Sequence, residues 1–456
     1  MQLFELLSLI LLPLTWLAAV LFNPQKYKWS AFLPLAAVIA CVLQIIFEGF
    51  IQQMLLVYLL SVLLLLYGVF RLRKQNPAAG KKRVWRAAGV VLVSVLVAAA
   101  IVIPIVFAAV PSPTGPYPVS SAVFEWIDDT RPETLTIEPD DYRDLLVKLW
   151  YPAEKSGAAA VSGEQNAYPV LIFSHGYGMN VDDYALELED IASHGYIIFA
   201  INHPYEASLV VYPDGREVGM SMEIVASLQS GEQEAINALL TQYQSSGEAT
   251  AKQALFMRID DMSWEMAESS MNTWVADTLF VLDKAEALSN GSETFAGRLD
   301  LENVGVFGHS FGGSVAGMVC LRDQRFKSGI NMDGMLYGQQ ATQAALQVPF
   351  MEMTSGDIAA DLNDYTYKRS DTWVYRVHIN GAGHNSFTDL ALNTSLQSQA
   401  ELYACGTINP YQMRKIVSSY TIAFFDTYLK NGDAELLKGD DTSMPEAQFR
   451  IYAYGD

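Results

Sequence analysis

The sequence predicts an α/β protein: a mostly parallel sheet with helices on both faces, preceded by four transmembrane helices. Three observations predict it. Beyond residue 111, apolar runs of strand length alternate with helix-compatible segments. One such run, Val304–Phe307, leads directly into a Gly-x-Ser-x-Gly turn. Residues 1–110 hold four long apolar runs that are nearly free of charge.

The apolar runs come first in the chain. Residues 4–22, 31–47, 53–70 and 87–110 each approach the length that crosses a hydrocarbon core of roughly 30 Å as a helix. The first run lacks the positive n-region of a cleaved signal peptide, and further runs follow, so it is expected to be retained. Seven positive charges between Arg71 and Arg86 assign that loop to the cytoplasm, and Lys26 and Lys28 agree. The consistent solution is a multi-pass protein of the cell membrane with its catalytic domain extracytoplasmic. Residues 111–120, with Pro111, Pro113, Gly115 and Pro118, read as a stiff linker. Residues 121–456 form the expected catalytic domain.

Charge divides at the same boundary. Of the net −21, residues 1–110 contribute +7 and residues 111–456 contribute −28. With no basic face to neutralise phosphates, nucleic acid is excluded as a partner, and the acidic excess serves solubility. Three cysteines are too few for a disulfide framework, and no Cys/His spacing suggests zinc. Whether Cys320 and Cys405 pair stays open.

The strands follow in order. Leu145–Tyr151 is an early strand, and Val170–Phe173 leads into His175-Gly176-Tyr177-Gly178. A helix ending at His194-Gly195 precedes the strand Tyr196–Asn202. Ile330–Met332 leads to Asp333, Val348–Met353 is followed by Asp357, and Trp373–Ile379 leads to His384. In a sheet of this kind functional residues lie beyond the carboxyl ends of strands, where all these candidates fall. Residues 205–270 break the pattern and read as an inserted cap, or as an exposed hairpin without a binding role. Residues 272–288 read as an amphipathic helix under the sheet.

Chemistry centres on Ser310. An apolar strand entering Gly308-His309-Ser310-Phe311-Gly312-Gly313, with helix-compatible Ser314–Leu321 after it, has the layout of a nucleophile elbow. This makes the expected architecture an α/β-hydrolase fold. The serine needs a base, and six histidines are available. His384 lies in a glycine-rich loop after the last strand and comes last in chain order, as the Ser, Asp/Glu, His sequence of this fold requires. His309 supports or packs, whereas His175, His194, His203 and His378 sit at other element ends or within a strand. Asp333 and Asp357 both end strands after the elbow, and position alone leaves both open as the acid. Asp389 is too near His384 in sequence. Oxyanion stabilisation needs two preorganised donors, expected from the backbone N–H groups of Phe311 and Tyr177. No cofactor and no metal are called for.

Several of these stretches resemble one family. Gly308–Gly313, Asp323-Gln324-Arg325-Phe326-Lys327-Ser328-Gly329-Ile330, Met332-Asp333, Phe173–Gly178, Asn202-His203-Pro204 and Trp150–Ala153 are similar to the platelet-activating factor acetylhydrolase family of the lipoprotein-associated phospholipase A2 type. The resemblance covers roughly residues 115–430 and not the four apolar runs. It implies Asp333, 23 residues after Ser310, as the acid. It also implies calcium-independent hydrolysis of short or oxidised acyl esters on phospholipids through an acyl-enzyme. The family's His-Gln-Asn-Phe reads His384-Asn385-Ser386-Phe387 here, and Tyr177 stands where the family often has Leu. Two other readings belong beside it: a general carboxylesterase, lipase or polyesterase of the same fold, and a membrane protein with a non-catalytic hydrolase-like binding domain. Oligomeric state is not fixed by these features.

Overall fold

The computed structural model describes residues 3–21, 32–48, 54–73, 92–93, 96–97, 111–136, 138, 140–228, 231–291, 294–336, 338, 344–355, 362–392 and 404–452. The chain divides into two compact units, Met1–Val110 with Leu390–Tyr403, and Pro111–Asp389 with Ala404–Asp456.

The first unit contains helices α1 (Leu3–Leu21), α2 (Leu33–Glu48) and α3 (Leu55–Arg73). Leu9, Leu12, Cys41, Val57, Leu60 and Leu64 pack between them. The polar residues Ser8, Thr15, Gln44 and Ser61 are buried, and Tyr58 donates a hydrogen bond to Gln44. Leu7, Ile10, Leu14 and Leu17 on α1, Ile39 and Val42 on α2, and Leu59, Leu63 and Leu66 on α3 face outward. The four expected spans are not shown. Among the described residues no helix is long and apolar enough to cross a membrane. The 16 residues of α2 reach only about 24 Å. Most of the fourth run, 87–110, lies outside the described residues.

The second unit is built on a nine-stranded sheet in the order β1-β2-β4-β3-β7-β8-β9-β10-β11. The strands are β1 (Val119–Pro132), β2 (Tyr142–Pro152), β3 (Tyr168–Ser174), β4 (Ile197–Asn202), β7 (Leu299–His309), β8 (Phe326–Met332), β9 (Phe350–Thr354), β10 (Val374–Ile379) and β11 (Ala447–Tyr452). From β4 across to β10 every pairing is parallel; β1, β2 and β11 join antiparallel at the margins. The sheet is thus mostly parallel, as expected. The sequence reading overlooked β1 and β11, which are edge strands with partly exposed alternation and lack the continuous apolar run of a central strand.

Alternation distributes the core to two faces. Val170 and Ile172 of β3 pack with Trp274, Val281, Val315 and Val319 on one side. Leu171 and Phe173 pack with Leu188, Ile191, Ile416 and Phe424 on the other. The helices on those faces are α7 (Ala249–Gly291) with α8 (Phe311–Arg322), and α4 (Ala185–Ser193) with α10 (Pro410–Leu429). Residues 114–117 run along α4: Thr114 N–H donates to Asp190 Oδ1 (2.6 Å) and Tyr117 N–H to the Ser193 carbonyl (3.0 Å).

Residues 205–270 hold the hairpin β5 (Leu209–Val211) and β6 (Glu217–Gly219), then α5 (Met222–Leu228), α6 (Gly231–Ser245) and the first half of α7. The expected break near residue 270 is absent. No Pro or Gly interrupts the sequence from 250 to 290, so α7 continues for 43 residues. Its first half packs through Phe256 and Ile259 on Leu239 and Tyr243 of α6 and on Leu362, a small cluster that leaves most of its surface polar. That explains the weak periodicity there. The segment 272–288 forms its second half, with Trp274, Val275, Thr278, Val281, Leu282 and Ala285 buried at helical spacing. The short helix α9 (Asp364–Tyr367) follows β9.

Candidate active site

Strand register brings the site to one edge. Ser174 pairs with Gly308, His309 with Met332, and Met332 with Met353. The chain therefore leaves β3, β7, β8 and β9 at nearly the same level, and His175–Gly178, Ser310, Asp333 and Ser355 emerge side by side.

Ser310 occupies a strained backbone conformation, φ 55° and ψ −120°. Such a conformation costs on the order of 1–3 kcal/mol and persists only where its surroundings fix it. Here Ser310 N–H donates to the Met332 carbonyl (2.7 Å), and its own carbonyl accepts from Gly313 and Ser314. Glycine is required on both sides by close approach. A Cβ on Gly308 would stand 2.4 Å from the Gly312 carbonyl carbon, and one on Gly312 would stand 2.1 Å from the Ser174 carbonyl oxygen. Both obstacles are backbone and cannot yield.

The structure brings three of the expected residues into one hydrogen-bonded line. His384 Nε2 lies 2.9 Å from Ser310 Oγ, and His384 Nδ1 lies 2.7 Å from Asp333 Oδ2. Asp333 is buried, at φ 59°; its N–H donates to the Met353 carbonyl (2.8 Å), and Ser355 faces its carboxylate, with N–H donating to Oδ1 (2.7 Å) and Oγ to Oδ2 (2.8 Å). With a carboxylate at Nδ1, the imidazole carries its proton there and presents a bare Nε2 to the serine hydroxyl. This arrangement can remove the Ser310 proton as the oxygen attacks an electrophile. The alternative acid, Asp357, lies outside the described residues. Asp389 is engaged elsewhere, accepting from Leu186 N–H (2.8 Å).

His309 is fully buried against the same loop. Its Nε2 donates to the His384 carbonyl (2.8 Å), and its Nδ1 accepts from the Tyr184 hydroxyl (2.8 Å), which in turn accepts from Gly176 N–H (2.9 Å). Burial, reinforced by neighbouring His384, pushes His309 far below the usual histidine range, which keeps it neutral in this relay. His378 contacts Thr354 Oγ1 (3.0 Å), and His194 caps α4 beside Thr114. Neither joins the Ser310 line.

Tyr177 and Phe311 lie together, their rings 5.2 Å apart, and both pack on Trp274. The Tyr177 hydroxyl contacts Ser270 Oγ (3.2 Å) on α7. Burial, with Glu206 beside it, raises the phenol, which stays protonated. Behind this loop lies a buried ionic cluster that sequence reasoning missed. Arg143 binds Asp277 (2.8 Å) and Glu133 (2.8 Å), with Glu206 at 3.5 Å, and His203 Nδ1 lies 2.8 Å from Asp277 Oδ2. A signal existed: Asp277 falls on the apolar stripe of the expected helix 272–288, where a carboxylate demands a partner. Among the described residues no cluster of three or more His, Cys, Asp or Glu is arranged to hold a metal ion. Cys41, Cys320 and Cys405 are all buried free thiols.

Sheet order, elbow and hydrogen-bonded line together are those of a hydrolase built on the α/β-hydrolase fold, and the chain's relatives make it a carboxylic ester hydrolase. Residues 142–444 match the family model described as platelet-activating factor acetylhydrolase, isoform II, and the chain belongs to that family. It is 24% identical to the platelet-activating factor acetylhydrolase of Cavia porcellus over 68% of this chain and 70% of the relative. The enzyme of the same name from Gallus gallus is 24% identical over 60% of this chain and 65% of its own length. A probable 1-alkyl-2-acetylglycerophosphocholine esterase of Arthroderma benhamiae is 23% identical over 63% and 67%. The chain thus spans about two thirds of the length of these relatives. Among solved structures, a ferulic acid esterase from Streptomyces cinnamoneus aligns with a TM-score of 0.58 over 75% of this chain and 98% of that one. At 22% identity that likeness is one of fold.

Proposed function

We propose that this chain is a membrane-anchored serine hydrolase that cleaves short or oxidised acyl esters, in the manner of an acetylhydrolase or phospholipase A2, through an acyl-enzyme. The observation that carries the reading is the line Ser310 Oγ, His384, Asp333, with contacts of 2.9 and 2.7 Å. Ser310 Oγ adds to the ester carbonyl carbon while His384 Nε2 takes its proton. The carbonyl oxygen gains charge and is held by the N–H groups of Phe311 and Tyr177. Collapse expels the alcohol, which receives the proton from His384, and leaves Ser310 acylated. Water, deprotonated by His384, then releases the acid and restores the serine. Asp333 holds the proton-bearing Nδ1 throughout and stabilises the imidazolium. The substrate class is supported by the family and by the names of the relatives.

Anchoring is supported by the inverted pattern of α1–α3, where Ser8, Gln44 and Ser61 are buried while Leu and Ile side chains face outward. The extracytoplasmic side is supported by the seven positive charges between Arg71 and Arg86. A rate survey over p-nitrophenyl esters of rising chain length and an sn-2 acetyl phospholipid, for wild type and Ser310→Ala, tests the chemistry. Turnover should be fastest on acetyl esters, include the phospholipid and vanish in the variant. An intact phospholipid would sink the acetylhydrolase assignment. Release of the protein from membranes by alkaline carbonate would sink the anchor.

A further inference from the structure

A second Ser-His-Asp array lies behind the first. His203 Nδ1 is 2.8 Å from Asp277 Oδ2, and His203 Nε2 is 3.2 Å from Ser174 Oγ. It is no second nucleophile: Ser174 is 1% exposed, and His203 and Asp277 are wholly buried, so no ester reaches them. What the array touches is the loop that carries Tyr177.

Proton positions follow from the partners. Burial would raise the Asp277 carboxyl, but Arg143 and His203 overcome it and hold the group well below the usual carboxylate range. His203 therefore donates from Nδ1 and accepts the Ser174 hydroxyl proton at Nε2. Its backbone N–H donates to His175 Nε2 (3.2 Å), which leaves the His175 proton on Nδ1. That N–H points at the Gly176 carbonyl, 2.8 Å away, and Met179 N–H donates to the same oxygen (3.0 Å). Burial, assisted by His203, pushes His175 down to about 3, and burial pushes His203 to about 4, so both rings stay neutral across the working range.

In a trans peptide the carbonyl and the following N–H point in opposite directions. Two donors on the Gly176 oxygen therefore turn the Tyr177 N–H the other way. The loop lies against the start of α8, since the Ser174 and His175 carbonyls occupy the space beside Gly312, one residue beyond Phe311. We propose that the buried Asp277–His203–His175 chain is the positioning device of the oxyanion hole, holding the Gly176–Tyr177 peptide so that its N–H faces the substrate oxygen. This rests on the reading of Tyr177 as the second oxyanion donor. Because Asp277 and Trp274 belong to α7, and Trp274 stacks on His203 at 3.7 Å, the long helix is what fixes the peptide.

The test uses the full chain and p-nitrophenyl acetate. His175→Leu keeps bulk but loses the donor. Its kcat should fall about 10²-fold with KM within about twofold, and its affinity for a trifluoromethyl ketone should fall by the same factor as kcat. His175→Asn keeps an N–H where Nδ1 stood and should recover most of the loss. His175→Gln keeps an acceptor for the His203 backbone N–H but puts no donor where Nδ1 stood. It should cost about tenfold in kcat at constant KM, and it carries the test if His175→Leu does not fold. His175→Leu or His175→Gln, folded and keeping kcat within twofold of wild type, overturns the inference. Equal hydrolysis by wild type and Ser310→Ala would instead overturn the reading of the site itself, whatever the histidine variants do.

Discussion

Replacing Asp333 by Asn should stop the reaction without unfolding the protein, and the structure says why. Among the described residues three donors face this carboxylate: Ser355 N–H at Oδ1, and Ser355 Oγ and His384 Nδ1 at Oδ2. A backbone N–H cannot turn away, so the single amide oxygen of Asn must take the Oδ1 place. The NH₂ group then occupies the Oδ2 place. Ser355 Oγ can rotate and accept from it, but His384 can accept only by moving its proton to Nε2. That N–H would point at Ser310 Oγ, and the base would have no lone pair for the serine. Asn also tolerates the positive φ at this position, 59°, so the backbone is not strained. The expected outcome is a loss in kcat of about 10³–10⁴-fold near neutral pH, or roughly 4–5.5 kcal/mol of transition-state stabilisation. The midpoint of urea unfolding should move little. Steady-state hydrolysis of p-nitrophenyl acetate beside a urea titration measures both. A variant with kcat within tenfold of wild type would refute the tautomer argument and return the role to Asp357.

Two further perturbations test the frame around the site. Gly312→Ala puts a methyl 2.1 Å from the Ser174 carbonyl oxygen, so the elbow and the oxyanion loop must separate; a loss of about 3 kcal/mol or more in urea unfolding is expected, and a loss under 1 kcal/mol would contradict the close approach. Glu187 is buried, with Oε2 accepting from Ser418 and Oε1 without a partner among the described residues, and burial raises its carboxyl from an ordinary 4.5 to about 8 against the pull of Arg414, with Asp190 and Asp389 adding to the rise. The folded state then holds a proton that the unfolded state releases above about 4.5, so stability falls by a few kcal/mol as pH rises from about 4.5 to about 8. Glu187→Gln should flatten most of that slope in urea midpoints measured across the range. The smaller slope of the same sign from Asp389, raised to about 7, should remain.

Much of the site was legible because its chemistry is local in sequence. The elbow needs glycines within two residues of the serine, and His384 could be chosen from six histidines by chain order. The central strands were legible for the same reason: burial on both faces demands unbroken apolar runs such as Leu171–Phe173. Edge strands carry half that pattern, and α7 was cut short because a helix half that packs only on its neighbour lacks a full apolar stripe.

The sequence by itself determined the fold class, the elbow that carries Ser310, the choice of His384 as its candidate base, and the apolar character of residues 1–110. Each depends on residue types at short spacing. Only the tertiary structure decided which partners hold these groups. Among residues alone Asp333 and Asp357 were equivalent strand-end carboxylates; Asp333 meets His384 because the parallel register of β8 and β9 places Ser355 beneath it. The Asp277–His203–His175 chain joins residues 74 and 28 positions apart through contacts of 2.8 and 3.2 Å. Hydrogen bonds act over ångströms of space, and no spacing along the chain records that α7 and the loop after β4 close on the same loop after β3.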